Sequence, residues 1–165
     1  MDWPAWRAGT ARRAGGVSFS VAQHSVLVAE ILGLLDPAAP ARWRLFALLH
    51  DAPEYVIGDM ISPFKAALGE VYREVEDRLS RAILQRFSIT PDPPLALARI
   101  TKQADRVSAF FEATLYAGFD KHEAETLFGA PEIELRRVEK WLAPMLPEQA
   151  QALFLEKFRT YEKGL

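Results

Sequence analysis

The chain has 165 residues, half of them hydrophobic and a quarter charged, with a formal charge of −2 and no cysteine. That length suits one domain with one sizeable core. The balanced charge speaks against nucleic acid as a partner, the missing cysteines exclude a disulfide scaffold and thiolate metal sites, and no apolar run nears the ~20 residues of a membrane span. The N-terminus has no apolar leader segment, so a cytoplasmic protein without a membrane partner is expected.

Residues 1–19 read as an irregular N-terminal loop, with Trp3 and Trp6 among Pro4, Arg7, Gly9, Arg12, Arg13, Gly15 and Gly16. It is either a frayed basic terminus or a loop over a site, with an aromatic to stack on a base and arginines to meet phosphate. Ser20 then caps a helix over 21–35, whose apolar positions Val21, Val28, Ile31, Leu32 and Leu35 recur at helical spacing with His24 on the same side. Asp36-Pro37-Ala38-Ala39-Pro40 stops the chain, and a second helix is expected from 41 to 51 or a little beyond. The stretch 53–64 carries Glu54, Asp59 and Ser62 in a broken helix or loop.

A third helix over 65–87 shows an apolar stripe of Leu68, Val71, Val75, Leu79, Ile83 and Phe87. After Thr90-Pro91-Asp92-Pro93-Pro94, a fourth over 95–117 has the stripe Leu97, Ile100, Ala104, Val107, Phe111 and Leu115. Asp105 lies beside that stripe, with Thr101, Ser108, Lys102 and Arg106 nearby. Shorter helices follow at 120–128 and 131–144, then a last one over 147–162. No stretch alternates as a strand, so the fold class is all-α: a single-domain helical bundle with its core in 20–118 and C-terminal helices in 120–162.

Spacing points to one site. About eleven residues lead from His24 to the end of its helix, and about ten from the start of the next helix to His50. At ~1.5 Å per residue both legs are roughly 15–17 Å, and a short connection makes the two helices antiparallel neighbours. His24 and His50 therefore reach the same level. With Asp51 and Asp105 they offer two neutral nitrogens and two carboxylates from three helices, a set suited to a hard or borderline divalent ion. Each residue alone has a plainer reading: a core histidine bonded to a carbonyl, an aspartate in an ion pair. His122, in Asp120-Lys121-His122-Glu123, reads as a solvated surface residue.

Three ordered segments carry a resemblance: Ser18-Phe19-Ser20-Val21-Ala22-Gln23-His24-Ser25, Leu48-Leu49-His50-Asp51-Ala52-Pro53-Glu54 and Ile100-Thr101-Lys102-Gln103-Ala104-Asp105. They resemble the signatures of the HD-domain phosphohydrolases, most closely the branch of the bacterial 5′-deoxynucleotidases. The resemblance implies an all-helical HD domain and one divalent metal ion (manganese, cobalt, zinc, magnesium, nickel or iron) held by His24, His50, Asp51 and Asp105. It implies hydrolysis of a nucleotide phosphate ester, with Asp51 and Glu54 in the catalytic role and Glu54 engaging the attacking water. By position it implies that Asp59 contacts the sugar and that Lys65 lies on the phosphate side. The family's Arg-Trp pair corresponds to Trp6-Arg7 in reversed order, for base and phosphate, with Arg12 and Arg13 as alternatives. Relatives of this kind often dimerise, so a homodimer is an expected partner state beside the small-molecule nucleotide. Two other functions stay open: a dNTP triphosphohydrolase that releases triphosphate, and a non-catalytic helical binding domain of the same fold.

Overall fold

The computed structural model describes residues 19–58 and 62–164, without the side chains of Tyr55 and residues 62–67. The helices are α1 (Val21–Leu35), α2 (Ala41–Leu48), α3 (Glu54–Ile57), α4 (Ser62–Arg86), α5 (Leu95–Glu112), α6 (Lys121–Phe128), α7 (Glu139–Leu142) and α8 (Pro147–Glu162). A π-helical turn over Ala113–Ala117 extends α5, and a 3₁₀ turn over Leu135–Arg137 precedes α7. No strand occurs among the described residues, so the all-α class holds.

The bundle is built round α1. Ala22, Gln23, Ser25, Val26, Leu27, Val28, Ala29, Ile31, Leu32 and Gly33 are all buried, and they point in every direction from the axis. A helix that is apolar on all sides belongs in the middle of a protein. α2, α5, α7 and α8 pack round it. Ser20 starts it: its backbone is extended and its Oγ accepts the Gln23 N–H at 3.2 Å. One continuous core takes in Leu45 and Leu48 from α2, Leu97, Val107, Phe110 and Phe111 from α5, and Leu142, Phe154 and Tyr161 from the C-terminal helices. The C-terminal helices thus share the core with the rest of the chain.

Four elements depart from the periodic reading. The stretch 131–144, expected as one helix, carries only the 3₁₀ turn Leu135–Arg137 and the short α7, Glu139–Leu142, separated by Val138 at a φ of −120°, outside helical geometry. α2 ends at Leu48 and does not run on to 51. The following turns are closed by tight backbone bonds, His50 N–H to Ala47 O, Ala52 N–H to Leu49 O and Glu54 N–H to Asp51 O. Pro53 accounts for this, since it has no N–H for a helical bond to Leu49 and disfavours helical geometry at Ala52.

α4 begins earlier than the spacing predicts and is kinked at Gly69, whose φ of 68° is one that only glycine adopts without strain. Its buried side is rotated from the predicted stripe. Leu68, Val71 and Val75 are exposed, and Tyr72 and Leu84 are buried instead. The stripe of α5 holds as far as Phe111, but Leu115 is exposed. The wider π turn after Glu112 changes the angular phase of the residues that follow.

The rotated face of α4 gives a measurable contrast. Leu84→Ala removes a side chain that is 4% exposed and should cost about 2–5 kcal/mol in urea denaturation. Val71→Ser alters one that is 72% exposed and should stay within ~0.5 kcal/mol of wild type. The reverse order would restore the predicted stripe.

Candidate metal centre

His24 projects from the second turn of α1, and His50 and Asp51 sit in the turn after α2. Their helices form the expected hairpin, and the two imidazole rings lie 5.3 Å apart between centroids. The end of α2 matters here. On an α-helix, neighbouring residues point away from each other. Because the chain has left helical geometry, His50 Nε2 and Asp51 Oδ2 approach to 3.3 Å. The same Asp51 oxygen is 3.4 Å from His24 Nε2.

Each ring is held by its other nitrogen. His50 Nδ1 is 2.8 Å from the carbonyl of Ala47. A carbonyl only accepts, so Nδ1 carries the proton and Nε2 presents its lone pair in the neutral ring. His24 Nδ1 is 2.6 Å from Glu112 Oε1 and 3.1 Å from Ser108 Oγ. Its Nε2 is turned toward Asp51 and toward Asp105 Oδ1, at 3.5 Å from the latter.

His24, His50 and Asp51 each offer one donor atom, all within 4.8 Å of one another. Asp105 stands at the rim of this triplet, with Oδ1 toward His24 and Oδ2 accepting from Lys102 Nζ at 2.7 Å. One observation tests whether a cation fits. His50 Nε2 is buried and makes no hydrogen bond among the described residues. A buried acceptor left in that state costs about 1–3 kcal/mol. A divalent ion would give it a partner, and imidazole nitrogen with carboxylate oxygen is a donor set such ions take.

A family model described as HD domain matches residues 18–109, which takes in both histidines, Asp51 and Asp105. The chain belongs to the HD-domain family. HD domains are metal-dependent hydrolases. An uncharacterized protein of Rhodobacter capsulatus is 43% identical over 152 residues, which cover 92% of this chain and 76% of that protein. The uncharacterized Escherichia coli protein YfdR is 28% identical over 149 residues, covering 89% of this chain and 75% of its own length.

The other expected site residues of the HD domain are distributed as follows. Glu54 is buried at the head of α3. Trp6, Arg7, Asp59 and the side chain of Lys65 lie outside the described residues. His122 is exposed, in keeping with a surface residue. Glu112 has no place in the sequence expectation. Its signal was nevertheless present, because Asp105, Ser108 and Glu112 recur at helical spacing on one side of α5.

The electrostatics follow from this geometry. Burial alone would lower the pKa of His24. The charge of Glu112, hydrogen bonds to Asp105 and Glu112 and the charge of Asp51 outweigh it and hold the imidazole well above 6.5. Burial alone would raise Asp105, but the hydrogen bond and charge of His24, then His50 and Lys102, hold its carboxyl far below the usual range. His24 thus stabilises the metal-free protein as a cation. Its contribution is complete below pH ~6.5 and fades as the pH climbs through the raised folded value. With excess chelator, the difference in melting temperature between wild type and His24→Gln should be largest near pH ~6 and shrink toward alkaline pH. A difference that is flat or grows with pH would contradict the ion pairing.

Proposed function

We propose that the protein is a metal-dependent phosphohydrolase of nucleotides, a 5′-deoxynucleotidase that converts a dNMP to deoxynucleoside and phosphate. The observation that carries the hydrolase reading is the convergence of two imidazoles and Asp51 within 4.8 Å, with a buried His50 Nε2 that no hydrogen bond among the described residues uses. The deoxynucleotide reading is supported by the positions of Trp6, Arg7, Asp59 and Lys65 in the sequence.

His24, His50 and Asp51 would hold the ion, with Asp105 as fourth ligand. The bound ion supplies Lewis-acid chemistry, lowering the pKa of water and offsetting charge on a phosphoryl oxygen. Glu54 follows Asp51 by one tight turn, its N–H bonded to the Asp51 carbonyl at 3.0 Å. In the proposed reaction its carboxylate takes a proton from the attacking water. The new P–O bond forms between the water oxygen and phosphorus as the bond to the 5′ oxygen breaks, and that oxygen leaves as the nucleoside hydroxyl with the proton that Glu54 took up and releases. Lys102, paired with Asp105 beside the site, adds positive charge near the phosphate.

A triphosphohydrolase has one observation in its favour. Arg99, Lys102 and Arg106 of α5 line a cleft of about 440 Å³ that Phe128 and Glu132 also border. Three cations on one face would suit a longer phosphate chain.

The deciding assay offers dNMPs, NMPs and dNTPs to the protein with manganese or cobalt, reading phosphate and triphosphate separately. Phosphate from dNMPs, with little from NMPs, is expected. Triphosphate from dNTPs would transfer the assignment to the second reading, and no product from any nucleotide would remove both. Asp51→Ala should lose metal and turnover together. Glu54→Ala should lose at least ~100-fold in turnover and keep its metal, within the range for general acid–base groups.

A further inference from the structure

The two histidines are anchored in different ways. His50 leans on a neutral acceptor, the Ala47 carbonyl at the end of its own helix. His24 leans on a carboxylate that comes from another helix, 88 positions further along the chain. Ser108 joins that contact: its Oγ–H donates to Glu112 Oε1 at 2.6 Å, and its oxygen lies 3.1 Å from His24 Nδ1. Ser108 is fully buried and the Glu112 side chain is only 23% exposed, so water competes weakly for the bond.

Glu112 lies beyond the matched HD segment, which ends at 109. It is also the last α-helical residue before the π turn over Ala113–Ala117, and short π segments are frequent at functional sites.

We propose that Glu112, backed by Ser108, is a positioning residue for the metal centre. It accepts the Nδ1 proton of His24, holds the ring in the tautomer whose Nε2 faces Asp51 and Asp105, and makes that nitrogen the more basic of the two imidazole donors. A carboxylate behind a ligating histidine does both things, orienting the ring and raising its donor strength. Glu112 itself does not reach the ion or the substrate in this role. The inference rests on the metal-site reading and is independent of the nucleotide.

The test uses manganese alone, with affinity read by competition against a fluorescent chelator at one pH. Glu112→Ala should bind manganese about 10–100-fold more weakly than wild type. Glu112→Gln keeps an acceptor oxygen and loses the charge, so it should fall between the two. Ser108→Ala should show a smaller loss than Glu112→Ala. Melting of each metal-free variant is the control for a purely structural role, which would lower the melting temperature and leave affinity in the folded protein unchanged. In the zinc-loaded wild type, proton–nitrogen spectra of the rings should show His24 protonated at Nδ1 and metallated at Nε2.

Affinity within twofold of wild type for Glu112→Ala would overturn the proposal. If that variant does not fold, the same result for Glu112→Gln would overturn it, and so would metallation of His24 through Nδ1. Wild-type protein that bound no manganese or zinc would remove the metal reading itself, and this inference with it.

Discussion

An imidazole on a buried helix has two nitrogens to satisfy and little water to satisfy them with. His24 is in that position, because α1 is covered on all sides. Its Nδ1 is met by Ser108 and Glu112 from α5, and its Nε2 by Asp51 from the turn after α2 and by Asp105 from α5. Every one of these partners belongs to another element. The ring therefore sets how α1, α2 and α5 must sit against one another, and the apolar core supplies the packing energy that holds them there. Where hydrophobic packing alone would tolerate a small shift along a helix axis, a 2.6 Å contact between part-buried polar groups does not.

The second requirement is a local departure from regularity. A continuous α2 would have sent His50 and Asp51 to different faces. The turns from Leu49 to Pro53 let both reach one point, and the Ala47 carbonyl, which also accepts the His50 backbone N–H, holds the His50 ring. The orphan carbonyls at a helix end need partners in any case. Here one of them fixes a tautomer, so the end of α2 satisfies itself and aims a donor atom in a single contact. Pro53 enforces the break, and Glu54 starts the next turn with its N–H on the Asp51 carbonyl.

The helices beyond the matched HD segment brace α1 from another side. The Gln23 amide, next in sequence to His24, donates to the carbonyls of Trp141 and Ala143 at 2.9 and 2.6 Å. Glu30, two turns further on, accepts from Tyr161 and pairs with Lys157 of α8. Tyr116 from the π turn bonds the Leu142 carbonyl and stacks on Phe19, just ahead of the α1 cap. α1 is thus gripped both by the groups of the candidate metal centre and by the C-terminal helices.

Much of this was legible from residue order alone. Helix periods and short connections are local properties, so the extent of α1, the hairpin and the common level of His24 and His50 follow from counting residues. The class of fold, the candidate ligands and the family resemblance lie in the same local information. The early end of α2 was also within reach, since Pro53 announces it. Other features depended on the assembled bundle. Val71 and Val75 are as apolar as Leu84, and only the placement of the neighbouring helices decides which of them is covered. Glu112 is one of many helical glutamates until α5 is laid against α1 and its carboxylate meets His24 Nδ1. A sequence records which groups a helix can present on each face. Which face meets which neighbour is settled only when all the buried surfaces and buried polar groups are satisfied together, and that is a property of the tertiary structure.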